Sequence, residues 1–140
     1  MSGAFLEDLE VGQSAELART VEAGDLAAFA AVTGDDNPLH LDEAYAATTP
    51  FKGRIAHGML SAGYISAVLG TKLPGPGAIY VSQTLNFRRP VRIGDVVTAR
   101  VTVTAIDSAR GRVTFATEAR VAGKVVVEGE AVVAPPRRPA

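Results

Sequence analysis

A carboxylate and an imidazole stand five residues apart in the stretch 34–40, whose sequence is GDDNPLH. The carboxylate belongs to Asp35 and the imidazole to His40. Pro38 fixes its own φ and disfavours the helical region for Asn37, so the stretch must bend and can bring both groups to one site. A histidine exchanges protons near neutral pH, and a nearby carboxylate can orient it or share a water molecule with it. The pair could therefore carry general acid–base chemistry.

A simpler interpretation fits the same residues. Asp35 could cap a helix or a turn, and His40 could pack on the surface, because an acid and a histidine in one bent loop are common. On the pair alone, this structural interpretation is favoured. Asp36 is interpreted as a solvated turn residue, and Asp42 as the start of the next helix.

A second group of interest lies where the longest apolar stretch begins. The segment from Gly58 to Gly70 is small or apolar on nearly every side and contains no Asp or Glu, which predicts a buried helix. The backbone N–H of Gly58 would lack a partner within that helix, and it would suit a developing negative charge such as a thioester oxygen. Tight packing also explains a glycine here, and a hydrogen-bonded position at the helix entry is the favoured interpretation of His57.

Other polar residues near these groups are less specific. Ser66, two turns into the predicted helix, would by default bond to its own helix backbone. Arg88 and Arg89 end a predicted strand and could face a phosphorylated carrier, although a solvated face explains them equally well. Two histidines that do not share a helix give no expectation of a metal site.

The surrounding pattern predicts the elements that must position these residues. Segments rich in Val and Thr predict strands at 78–88, 95–106, 112–121 and 124–134, with hairpins near 108–111 and 123. A strand at 14–22 and short helices at 25–32, with Asp25 as N-cap, and at 42–48 precede the long helix. Helices and strands are segregated, so the predicted class is α+β, one long helix against an antiparallel sheet. Its exposed edges favour a homo-oligomer.

Bulk properties exclude several other classes of protein. With 140 residues the chain is predicted to form one domain over 1–134, followed by a disordered tail at 135–140. A net charge of −1 argues against a nucleic-acid partner, and zero cysteines exclude disulfides and a thiol nucleophile. The first ten residues do not form a signal peptide, and the apolar stretch is too short to span a membrane. These observations fit a cytoplasmic protein.

The motif at 34–40, together with AHGM at 56–59, resembles the MaoC-like (R)-specific enoyl-CoA hydratases. The likeness is greatest to the small bacterial hydratases that supply polyhydroxyalkanoate synthesis. It continues through IY at 79–80, LNF at 85–87, PV at 90–91 and GDV at 94–96 to GEA at 129–131. The resemblance implies a hot-dog fold, in which the sheet wraps around the long helix and two subunits share a continuous sheet.

The resemblance also implies roles for residues. Asp35 and His40 would be catalytic, the Gly58 N–H would bind the oxyanion, and Asn37 and Ser66 would support the site. Further candidates for substrate binding are His57, Met59, Arg88 and Arg89. The two catalytic groups would hold one water and add it across a trans-2-enoyl-CoA to give the (R)-3-hydroxyacyl product, reversibly. No cofactor is expected, because coenzyme A is part of the substrate.

Three alternatives remain open on the sequence. A 3-hydroxyacyl-ACP dehydratase of the same fold would perform the same chemistry on a carrier protein. A hot-dog thioesterase commonly has an acidic residue on the long helix, which this chain lacks. A non-catalytic binder, or the structural half of a heterodimer, need not keep the Asp35/His40 pair. Residues that could close an acyl tunnel, and so set chain length, are Ser61, Ile65 and Val68.

Overall fold

A six-stranded antiparallel sheet carries the core of the protein, which a computed structural model describes over residues 3–140. Its strands are β1 (Ser14–Thr20), β2 (Ile79–Gln83), β3 (Asn86–Phe87), β4 (Val96–Asp107), β5 (Arg112–Val121) and β6 (Lys124–Ala134). They are ordered β1-β4-β5-β6-β2, and β3 also pairs with β6. The two predicted hairpins are confirmed, since β4–β5 and β5–β6 are antiparallel neighbours.

Alternation along the central strands builds one buried face. In β4, Val97, Ala99, Val101 and Val103 are buried while the residues between them are exposed or half-buried. Phe115 on β5 is fully buried in the same core. One face of the sheet therefore packs inward, as the period of two predicts.

The single strand predicted at 78–88 is wrong, because the chain breaks there into β2 and β3. A Cβ on Gly129 of β6 would lie 1.8 Å from the carbonyl oxygen of Thr84, so the backbone passes directly over that glycine. Thr84 is held in this position by a hydrogen bond from its N–H to the Glu130 carbonyl at 2.9 Å. The close crossing interrupts the strand between Gln83 and Asn86.

Within residues 3–140, a 3₁₀ helix at Leu6–Asp8 and four α-helices complete the fold: α1 (Ala23–Thr33), α2 (Pro38–Leu41), α3 (Glu43–Ala47) and α4 (Gly58–Thr71). Asp25 is not the N-cap of α1, contrary to the prediction. The helix begins earlier, after Glu22, whose N–H donates to the Asp25 carboxylate at 2.8 Å. Asp42 does begin α3 as predicted, since its carboxylate accepts the Tyr45 N–H at 3.1 Å.

Helix α4 is the predicted central helix. Ile65, Val68 and Leu69 are buried in the same core cluster as the inward-facing residues of the sheet. Among residues 3–140, no helix has the length and apolar character needed to cross a membrane.

Residues 135–140 form no helix or strand. The Pro136 carbonyl accepts the Leu6 N–H at 2.8 Å, and the Arg137 guanidinium donates to the Ser108 carbonyl at 2.7 Å. These contacts attach the start of the segment to the domain, while the disorder predicted for 135–140 and the domain boundary at 134 stay predictions.

Candidate active site

The loop that carries Asp35 follows directly from the end of α1. Gly34 caps that helix with a φ of +83°, a left-handed backbone conformation that residues other than glycine rarely adopt. The exposed Asp35 comes next, and its carboxylate is 3.4 Å from the Asn37 N–H. Asn37 then caps α2, since its side-chain oxygen accepts the Leu39 N–H at 3.1 Å. Helix α2, which the sequence analysis missed, is a single turn that Asn37 begins.

His40 lies on that turn, and its orientation is fixed by Ile55, 15 residues farther along the chain. The imidazole is 9% exposed, so the surface position considered from the sequence is wrong. Its Nδ1 lies 2.6 Å from the carbonyl oxygen of Ile55. Because a carbonyl only accepts, Nδ1 carries the proton, and a neutral ring presents the lone pair of Nε2. The Arg54 Nε also donates to the His40 carbonyl, at 2.7 Å.

His57 joins the two halves of this arrangement. It is 3% exposed and precedes the first residue of α4. Its ring stacks on that of His40, with centroids 3.9 Å apart, and its Nε2 lies 3.0 Å from the Asp35 carbonyl oxygen. A carboxylate oxygen of Asp35 and a ring nitrogen from each histidine all lie within 4.8 Å of one another. The bend in the motif therefore does bring Asp35 and His40 together.

These three groups do not form a convincing metal site. Nδ1 of His40 and Nε2 of His57 are already paired with backbone carbonyls. The two rings are stacked with only 29° between their planes, so their in-plane lone pairs do not converge on one point as a tetrahedral set requires. The absence of a metal in the native protein stays a prediction.

A cavity of about 410 Å³ opens beside His40 and the first turn of α4. Its remaining walls are mostly apolar and come from Phe51, Ile55, Ala56, Gly58, Met59, Ser61, Phe87, Arg88, Arg89, Pro90, Val91 and Val127. Gly58 is the first residue of α4, so its N–H has no partner within the helix. A Cβ at this position would lie 2.5 Å from the Phe87 ring, which therefore packs directly over the glycine.

The family model described as MaoC like domain matches residues 7–125. The chain belongs to the MaoC-like family. The hot-dog fold implied by the sequence is confirmed, with the antiparallel sheet packed on α4 as its framework.

Three similar proteins are described as (R)-specific hydratases. An (R)-specific enoyl-CoA hydratase of Rhodospirillum rubrum is 61% identical over 96% of this chain and 93% of its own length. The structure of the R-hydratase PhaJ1 of Pseudomonas aeruginosa, without ligand, superposes with a TM-score of 0.92 at 51% identity, covering 97% of this chain and 88% of its own. The structure of the (R)-hydratase of A. caviae, described as involved in PHA biosynthesis, gives 0.90 at 50% identity, covering 93% of this chain and 99% of its own.

The cavity of this MaoC-like chain contains only part of the residue set expected from the sequence. His40, Gly58, Met59, Arg88 and Arg89 line it. The other four candidates, which are Asp35, Asn37, His57 and Ser66, do not line it. Asp35 instead reaches His40 from the loop at its side, and Ser66 is half-buried farther along α4.

Of the three residues expected to close an acyl tunnel, only Ser61 lines the cavity. Ile65 and Val68 are completely buried in the sheet-facing core, so their assignment to the tunnel is wrong. Phe51 and Phe87 also form cavity walls and were not predicted from the sequence. A single apolar residue in a loop or at the end of a strand has no periodic signal that would identify it.

Both arginines at the cavity are held by neighbouring strand residues. Arg88 forms a salt bridge with Glu128 at 2.7 Å, and both side chains are about half exposed. Arg89 donates to the Val125 carbonyl at 2.8 Å. An exposed pair of this kind contributes little to stability, on the order of 0–1 kcal/mol, so Arg88 remains available to an anionic ligand.

A second cavity, of about 460 Å³, has a polar lining that includes Thr84, Arg100, Glu118 and Glu128. Glu128 is paired with Arg88, and Glu118 with Arg120 at 2.6 Å. None of the groups around His40 lines this cavity, so it offers no comparable chemistry.

Proposed function

We propose that this protein is an (R)-specific enoyl-CoA hydratase, which adds water across a trans-2-enoyl-CoA to give (R)-3-hydroxyacyl-CoA and catalyses the reverse dehydration. The observation that carries the proposal is the Asp35/His40 pair, whose carboxylate and imidazole lie within 4.8 Å of one another beside a mostly apolar cavity. The relatives with this activity in their names support the substrate class. The reaction needs no cofactor, since coenzyme A is part of the substrate.

Gly58 supplies the site for developing negative charge. The thioester carbonyl oxygen accepts a hydrogen bond from the Gly58 N–H as the substrate lies along the cavity. When hydroxide adds to C3, the π electrons move towards C2 and this oxygen, which acquires enolate character. The N-terminal end of α4 stabilises that charge through the free N–H and the helix dipole.

His40 and Asp35 hold the reacting water. The Nδ1 proton of His40 is bonded to the Ile55 carbonyl, which leaves Nε2 to take a proton from the water. The Asp35 carboxylate accepts the second hydrogen of the same water and orients it. The C3–O bond forms as Nε2 takes the proton, and Nε2 then delivers that proton to C2. Both additions come from one side of the double bond, so a single stereoisomer results.

Replacement of Asp35 tests its catalytic role, and the same replacement at the neighbouring Asp36 is the control. Asp35→Asn should lower kcat by about 10²–10⁴-fold, the usual contribution of an acid–base group, while the fold is retained. Asp36→Asn is the matched control, because Asp36 is exposed in the same loop and lies outside the Asp35/His40/His57 cluster. Hydration of crotonyl-CoA is followed by loss of enoyl absorbance. A folded Asp35→Asn enzyme with near-normal turnover would refute the catalytic assignment.

Arg88 and Arg89 support coenzyme A as the carrier. Both lie at the cavity, and a guanidinium binds phosphate well in two-pronged geometry. Arg89→Ala should raise KM for crotonyl-CoA severalfold while kcat stays within about twofold. Assays with CoA and carrier-protein thioesters, side by side, separate a hydratase from an ACP dehydratase. Release of free thiol from acyl-CoA would instead indicate a thioesterase.

The similarity to the A. caviae (R)-hydratase, which is described as involved in PHA biosynthesis, supports a role in supplying hydroxyacyl-CoA for polyhydroxyalkanoate synthesis. A cytoplasmic location stays a prediction. Coupled assays with a polymerising enzyme that takes only (R)-3-hydroxyacyl-CoA would test both the stereochemistry and this use of the product.

Strand β2 supports a homodimer. It lies at the edge of the sheet, and Ile79, Tyr80 and Val81 on it are 66%, 40% and 48% exposed. An unpaired edge with exposed apolar side chains is the kind of surface that joins another strand. Light scattering after gel filtration should give twice the chain mass. Val81→Lys should shift the protein to the monomer, and a monomeric wild-type protein would exclude the dimer.

A further inference from the structure

His57 is a buried polar residue that the proposed reaction does not use. It does not line the cavity, and its side chain is 3% exposed. Its ring contacts two others, with centroid distances of 3.9 Å to His40 and 4.5 Å to Phe29. A phenylalanine or leucine would fill this position without the cost of burying imidazole nitrogens. The polar atoms of His57 therefore need an explanation.

The contacts of the two nitrogens select one form of the ring. Nε2 lies 3.0 Å from the Asp35 carbonyl oxygen, which can only accept, so Nε2 carries a proton. Nδ1 is buried and has no hydrogen-bond partner within the described residues 3–140. A second proton there would create a buried donor without an acceptor and a charge directly against the His40 ring. The arrangement therefore favours the neutral ring with its proton on Nε2.

His40 has the opposite arrangement. Its Nδ1 is bonded to the Ile55 carbonyl, so its proton lies on Nδ1 and its lone pair on Nε2. Backbone carbonyls thus fix the two stacked imidazoles in opposite tautomers. When His40 takes a proton from water, the ring stacked on it is neutral and does not oppose the new charge.

We propose that His57 is a positioning residue, which holds the backbone at Asp35 by a hydrogen bond and the His40 ring by stacking, and so sets the distance between the two catalytic groups. This inference rests on the proposed hydratase function. The position of His57 suits this role, because it contacts the backbone carbonyl of Asp35 and the ring of His40, and directly precedes Gly58 in the chain. Small displacements of reacting groups, about 1 Å, can cost about 10²-fold in rate.

Two substitutions test the hydrogen bond to Asp35 and the stacking on His40 one at a time. His57→Gln keeps an N–H that can reach the Asp35 carbonyl but removes the ring. His57→Phe keeps a ring against His40 but removes the donor. Each should lower kcat about 10–100-fold, with KM for crotonyl-CoA within about twofold, because His57 lies outside the cavity lining.

Val68→Ala is the matched control for lost packing. Val68 is completely buried on α4, the helix that His57 precedes, and belongs to the core cluster instead of the site. This variant should unfold at a lower temperature with kcat within about twofold of the wild type. Folded His57 variants that both retain wild-type kcat, or that lose activity only through KM, would overturn the positioning role.

Nitrogen-15 NMR of the wild-type protein tests the inference even if the His57 variants do not fold. The chain has only two histidines, so the imidazole region contains two ring systems. At about pH 8.5, where an ordinary imidazole is neutral, one ring should be protonated on Nδ1 and the other on Nε2. Two rings with the same tautomer would overturn the proposed arrangement.

The outcomes for the two proposals are distinguishable. A wild-type protein that hydrates no enoyl-CoA would remove the proposed function, whatever the NMR spectrum shows. An active wild type with unchanged kcat in folded His57→Gln and His57→Phe would leave the hydratase assignment intact and remove only the positioning role.

Discussion

The segment 34–58 and the sheet strands β4–β6 are held together by different kinds of contact. The strands pair with their neighbours along the chain, through two hairpins and a regular antiparallel register. In the site segment, the contacts that orient the side chains join distant residues, with His40 bonded to the carbonyl of Ile55 and His57 to that of Asp35, 15 and 22 residues away. The sheet supplies stability through local repetition, whereas the site depends on a few long-range bonds to the backbone.

Burial also differs between the two regions. The inward residues of β4 and β5 are almost completely removed from water, whereas the site segment combines the buried His40 and His57 with the exposed Asp35 and Gly58. Apolar burial contributes about 25 cal/mol per Å², so loss of a core side chain affects folding first. Loss of a site residue should affect the reaction first. Three substitutions, one of them with a matched control, test this separation of stability from chemistry.

The largest expected effect is on stability, from Phe115→Ala. Phe115 is fully buried at the centre of β5, and truncation of a buried phenylalanine costs about 3–5 kcal/mol in the free energy of unfolding. Because the residue does not line the cavity, kcat per folded molecule should stay within about twofold. Urea denaturation measures the free energy of unfolding, and the crotonyl-CoA assay measures kcat. A large fall in kcat of the folded protein would show that the sheet and the site are coupled.

A smaller effect is expected from Gly58→Ala, and it should fall on activity. The new Cβ would lie 2.5 Å from the Phe87 ring, so either that cavity wall or the first turn of α4 must move. Alanine keeps the backbone N–H, so the loss comes from displacement of that donor or of the Phe87 wall. A displacement of about 1 Å can cost about 10²-fold in rate, and we expect kcat/KM for crotonyl-CoA to fall by about that factor.

Gly63→Ala on the same helix is the control for Gly58→Ala. Apart from its chain neighbours and the adjacent helix backbone, no atom of residues 3–140 lies within 4 Å of the position that its Cβ would occupy. The substitution should leave activity unchanged and raise the free energy of unfolding by up to about 1 kcal/mol, since alanine favours helix. Equal activity in the Gly58→Ala and Gly63→Ala enzymes would show that the close packing of Gly58 against Phe87 does not position the site.

The smallest expected effect is on the free energy of unfolding at alkaline pH. Burial, and then the Asp25 carboxylate, raise the pKa of Tyr64 on α4 above its ordinary value, with Arg19 opposing. The unfolded chain therefore releases this proton at lower pH than the folded one, and the free energy of unfolding falls as pH rises above about 10. In urea denaturation between about pH 9 and 11, Tyr64→Phe should reduce that fall. An unchanged slope would show that Tyr64 does not contribute.

The region with local contacts was the one that sequence analysis could predict. Alternation and turn residues located the three long strands, and the apolar stretch located α4. The break at Thr84 was missed because it depends on a close approach to Gly129, 45 positions away. The burial of Ile65 and Val68 away from the cavity was missed because a helix that is apolar all round does not show which face meets the sheet.

The sequence alone determined the types of group available for chemistry and the bend that brings Asp35 and His40 together, because proline restricts the backbone locally and glycine permits a left-handed conformation. It also placed Gly58 at the start of the buried helix. The tertiary structure decided which nitrogen of each histidine carries the proton, because those protons are set by the carbonyls of Ile55 and Asp35. Hydrogen bonds between distant residues leave no periodic pattern in a sequence, so only the folded chain defines them.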